Sequence, residues 1–129
     1  MPTWPELQEY VRGKYKLSKD EEKWFSLVFA YDTNRSQLVV VRTFDAFNQA
    51  WIEISSRICK EEEMSPRVAL KKNWDFAVGA IALDEQGFYM MVHRTPLANM
   101  APDEFELPLG AICRTADDLE RNYAGADKY

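Results

Sequence analysis

The chain has 129 residues, 47% hydrophobic and 13% aromatic, which is enough apolar surface for one core and a single domain over 1–129. Lysine and arginine number 16 against 21 aspartates and glutamates, a net charge of −5, so no overall positive field exists to favour nucleic acid or a membrane surface. The longest apolar runs, 24–31 and 76–83, fall far short of the roughly 20 residues that a bilayer crossing needs. The first residues carry no basic flank before an apolar stretch, and a cytoplasmic location is the expectation.

Thr3 with Glu6 has capping-box spacing, and Trp4, Leu7 and Val11 recur at helical intervals up to Gly13, which predicts a first helix over about 4–14. The polar stretch 16–23 reads as a solvated connection. Residues 24–31 and 37–44 are rich in aromatic and β-branched side chains and flank turn chemistry at 32–36, the pattern of a β-hairpin. In the next segment Phe47, Trp51, Ile54 and Ile58 fit a helix, whereas Ile52, Ile54, Ser56 and Ile58 alternate like a strand. The isoleucines favour a strand over about 50–59, after a turn at 45–49. Past the polar break 60–63, Ser65 as N-cap and Pro66 at the first helical position predict a short crossover helix to Asn73.

Residues 76–83 and 88–94 form a second hairpin around 84–87, with Gly87 supplying positive φ. Pro102, Asp103 and Glu104 open a last helix whose stripe runs through Phe105, Leu109, Ile112, Ala116, Leu119 and Tyr123. Pro108 is expected to kink its first turns or delay its start, and Gly125 to close it. The order α-β-β-β-α-β-β-α gives an α+β fold, a five-stranded antiparallel sheet packed by helices.

Chemistry is sparse. Cys59 and Cys113 are widely spaced and read as reduced, buried thiols, with a disulfide or sensor pair as the alternative. The single histidine, His93, shares a strand face with Tyr89 and Met91 and has no acid or nucleophile at a marked spacing. Five glycines form no phosphate-cradling cluster, and no ligand set has metal spacing. The acidic groups 61–63 and 117–120 read as solvated faces, and 103–106 as a favourable helix N-terminus. The expectation is no catalytic, cofactor or metal site, and no enzyme.

The strand 76–83 is apolar on both faces: Phe76, Val78, Ala80 and Ala82 oppose Ala77, Gly79, Ile81 and Leu83. Phe25, Leu27, Phe29 and Tyr31 likewise oppose Trp24, Ser26, Val28 and Ala30. Three helices cover one face of such a sheet, leaving apolar area for a second subunit or a client unless loops with Trp51 or Trp74 cover it. The candidate partner or dimer interface is therefore Phe76, Val78, Ala80, Ala82 and Met90, with Met91, Met100, Trp51 and Trp74 as further adaptable side chains. The alternative is a small-molecule-binding regulatory domain with a pocket between helix and sheet.

The element order, together with 54–58 (Ile-Ser-Ser-Arg-Ile), 69–73 (Ala-Leu-Lys-Lys-Asn), 79–84 (Gly-Ala-Ile-Ala-Leu-Asp) with Gly87, 95–97 (Thr-Pro-Leu), Phe105 and Ala116-Asp117, resembles the type III secretion chaperone-like superfamily. That superfamily also contains bacterial relatives described as sensory-transduction regulators. The resemblance covers most of the chain and rests on fold signatures, with no catalytic side chain among them. It implies a small acidic homodimer that holds a stretch of another protein without hydrolysing a nucleotide.

Overall fold

The computed structural model describes residues 3–31 and 34–124. Helix α1 spans Trp4–Lys14, and Thr3 caps it, its Oγ1 accepting from the Glu6 amide at 3.3 Å and donating to Glu6 Oε1 at 2.9 Å. Gly13 lies inside the helix; the stop comes at Tyr15, whose extended backbone lets its ring meet Phe29 edge-on at 5.9 Å. One helical face, Trp4, Leu7 and Val11, is buried, and Trp4 stacks on Phe25 with ring centroids 5.4 Å apart.

Strands β1 (Lys19–Asp20), β2 (Trp24–Ala30), β3 (Ser36–Ala46), β4 (Gln49–Lys60), β5 (Ala80–Leu83) and β6 (Phe88–Pro96) form one antiparallel sheet in the order β1-β2-β3-β4-β6-β5. The sheet thus has six strands where the sequence suggested five. The additional strand, β1, falls in the stretch read as a solvated connection. Both of its residues are exposed, so no burial pattern marks it; what fixes it is the Ser18 amide donating to the Ser26 carbonyl and the Glu21 amide to that of Trp24, both at 2.8 Å. Asp20 is further held by Arg12, at 2.7 Å, and Gln8 of α1.

The strand reading of 50–59 holds. Phe47 and Asn48, both with positive φ, make the two-residue turn between β3 and β4. A register shift between Arg57 and Cys59 allows Ile58 and Cys59 both to be buried. A 3-10 turn over Glu61–Glu63 leads to helix α2 (Pro66–Asn73), where Ser65 Oγ accepts from the Val68 amide at 3.2 Å, as its sequence indicates. Helix α2 sits beside β5, which lies on the far side of β6.

Helix α3 (Pro102–Tyr123) packs across β3, β4 and β6 with Phe105, Leu109, Ile112, Cys113, Ala116 and Leu119 buried. It starts at Pro102 and runs through Pro108, so the proline does not delay it. The expected stop at Gly125 and part of the first hairpin turn, 32–33, lie outside the described residues. None of the described helices is long and apolar enough to cross a membrane.

Candidate protein-binding face

The two faces of the sheet differ because α1 and α3 cover only one of them. On the covered face Phe25, Leu27, Val39, Val41, Ile52, Ile54 and Met91 are all at most 2% exposed. On the other face cross-strand registers align rows of side chains. One row runs Ser26, Val40, Ser55, Val92, Ala80, across five strands. Beside it, Val28 faces Leu38, and Met90 faces both Arg57 and Ala82. Val28 is 54% exposed and Leu38 42%, while Ala80 and Ala82 are exposed and Val40, Met90 and Val92 half-buried. A groove of about 410 Å³ at the β2 side is lined by Ser18, Lys19, Trp24, Ser26, Val28, Leu38 and Val40.

Further along the strands lies a polar row of Trp24, Arg42, Glu53 and Arg94. Arg42 grips Glu53 with two bonds of 2.9 Å, and Arg94 adds contacts of 2.8 and 2.9 Å. Burial acts to raise the Glu53 carboxyl, but the hydrogen bonds from Arg42 and then Arg94 outweigh it and hold the group below its ordinary value. Arg42 also lies over the ring of Phe44 at 4.9 Å, and Phe44 stacks on Trp51 at 6.2 Å. Trp51 therefore covers one corner of this face, and Trp74, 91% exposed, covers none of it.

The fold recurs in known proteins. A chain in the HopA1–SchA chaperone–effector complex matches with a TM-score of 0.63 at 11% identity, over 89% of this chain and 90% of that one. A chain in the ExsC–ExsE complex matches with a TM-score of 0.60 at 16% identity, over 95% and 97%. These likenesses show the fold, and it is the one that the sequence resemblance led us to expect. No family model and no curated protein matches this chain.

Within this fold the five side chains singled out from the sequence do not share one face. Ala80, Ala82 and Met90 lie together on the open side, but Phe76 and Val78 precede β5 and pack against the core. The reason is Gly79, whose φ of 75° breaks the alternation on which the grouping relied. Of Val28 and Leu38, the largest exposed apolar side chains in the middle of β2 and β3, the sequence placed Val28 on the second apolar face of its strand and assigned Leu38 to no face. Met91 and Met100 are core residues.

Both ends of the sheet are closed to simple strand addition. Edge strand β1 is two residues long and charged, and at β5 the Asn73 side chain occupies the outer backbone groups of Ile81. Its Nδ2 donates to the Ile81 carbonyl at 3.2 Å and its Oδ1 accepts from the Ile81 amide at 2.7 Å, as a neighbouring strand would.

The other chemistry-bearing residues singled out from the sequence are Cys59, Cys113 and His93. Cys59 and Cys113 are buried and unbonded to each other; burial, opposed by the hydrogen bond from Tyr31, pushes the Cys113 thiol up to about 11, away from the reactive thiolate. His93, its pKa lowered by burial, lines a groove of about 470 Å³ with Thr95, Asp103, Glu104 and Leu107. Among the described residues no hydrogen bond or ion pair joins it to either carboxylate, and Glu104 instead accepts from the Ala101 amide at 3.0 Å. No group of His, Cys, Asp and Glu among the described residues is placed to hold a metal.

Asp117 and Glu120, read from the sequence as solvated, are 2% and 0% exposed. Both pair with Arg35, at 3.0 and 3.1 Å, which fastens α3 to the β2–β3 hairpin. Each directly follows a stripe residue, Ala116 or Leu119, and that adjacency was the available signal.

Proposed function

We propose that this chain is a single-domain, non-catalytic, chaperone-like binding module that holds a segment of another protein against the open face of its sheet, in the cytoplasm and as a homodimer. The observation that carries the reading is the row of exposed and half-buried apolar side chains, Val28, Leu38, Val40, Met90, Val92, Ala80 and Ala82, which no helix covers. The likeness to chains from two complexes, one of them described as a chaperone–effector complex, supports it. A second apolar surface, with Leu70 69% and Trp74 91% exposed on and just after α2, offers area for the second copy and leaves the sheet face to the partner.

The test compares proteins that co-purify with the tagged wild type and with the Val28→Asp/Leu38→Asp double variant. Both positions are already solvated, so the variant folds, and the expected result is loss of a specific partner. An unchanged set of partners contradicts the reading. The groove at His93 supports a second reading, a regulatory pocket for a small molecule, which a saturable rise in melting temperature with a metabolite would favour.

A further inference from the structure

The open face differs in sign from the chain as a whole. Lys19 stands opposite Ser26, Arg42 opposite Trp24 and Glu53, Arg57 opposite Met90, Lys60 opposite Phe88, and Arg94 opposite Glu53. Strand alternation therefore places every lysine and arginine of the six strands on the same side as Val28, Leu38 and Val92. The acidic strand residues divide the other way. Asp20 turns to Arg12 of α1, Asp45 alternates to the covered side, and only Glu53 lies on the open face, already held by Arg42 and Arg94. Among the strand residues, five cations thus stand on the same side as one carboxylate, which two of them, Arg42 and Arg94, already hold, in a chain whose net charge is −5. They also surround the apolar area: Lys19 borders the groove over Val28 and Leu38, and Arg57 lies 3.9 Å from the centre of the Phe88 ring beside Met90.

We infer that the occupant of this face is an extended polypeptide segment of another protein in which apolar side chains alternate with carboxylates. This rests on the reading that the open face binds a protein segment, and adds the chemistry of that segment. Apolar side chains fill the area around Val28, Leu38 and Val92, and carboxylates meet the surrounding lysines and arginines, where a basic segment would meet like charge. The apolar centre is what distinguishes this surface from one made for phosphates, which want cations without it.

The experiment measures fluorescence anisotropy of the full chain with three labelled peptides of equal length, leucine alternating with glutamate, glutamine or lysine. At low salt the glutamate peptide is expected to bind roughly tenfold more tightly than the lysine peptide. The gap should narrow at about 1 M salt, where charges a few ångströms apart are screened. The Lys19→Glu/Lys60→Glu variant, altered at two exposed positions, is expected to keep its circular dichroism spectrum and lose the preference. Equal binding of all three peptides overturns the charge assignment and leaves the binding face standing. Binding of duplex DNA or anionic vesicles with no peptide binding overturns both, and so does binding of nothing.

Discussion

Gly79 sits at φ 75°, and a Cβ there would stand 2.5 Å from Ile112 Cδ1 and 2.9 Å from the Val92 carbonyl oxygen. Backbone strain and a clash with the core act together, so Gly79→Ala is expected to lower unfolding free energy by about 2–4 kcal/mol in chemical denaturation. Glu53 gives a pH-dependent prediction. Its folded pKa is depressed, so its contribution to stability is present above the ordinary carboxylate pKa of about 4.3 and is lost as pH falls through the lower folded value. Melting temperature against pH should therefore fall less steeply in acid for Glu53→Gln than for wild type. An identical acid limb in the two proteins would show that the Arg42 and Arg94 bonds do not stabilise the fold.

At the scale of elements, helices and hairpins were readable wherever local chemistry decides them. The Thr3 and Ser65 caps, the prolines at helix starts and the stripe of α3 placed three helices closely, and isoleucine alternation settled β4. Elements that no burial pattern marks left no trace: β1 has no buried side chain, and the beginning of β5 is set by how closely Gly79 approaches Val92 and Ile112. The carboxylates of α3 were misread for a related reason, because their partner Arg35 is distant in sequence. Arg35→Ala would leave Asp117 and Glu120 buried without their guanidinium and should destabilise the fold by about 3–5 kcal/mol, measured by urea unfolding. A loss below about 0.5 kcal/mol would mean that water replaces the arginine, as at a surface pair.

Across the whole molecule, one side of the sheet carries the core and the other carries an apolar surface amid positive charge. Two-sided apolar strands pointed to such a surface from the sequence, but not to its exact members, since register and the helix-covered side exist only in three dimensions. Val28 and Leu38 emerged on it, and Phe76 and Val78 left it for the core. The segregation of charge was equally hidden, because net charge averages over faces that the fold separates.

The most direct measurement is site-specific photo-crosslinking in cells, with the reactive residue at Leu38 in one protein and, as a control, at Leu107 in another. Leu107 is 64% exposed and lies on α3, away from the open face. The account predicts a discrete crosslinked partner protein from position 38 and none from position 107. Crosslinks of the same intensity from both positions, or only from 107, would contradict it.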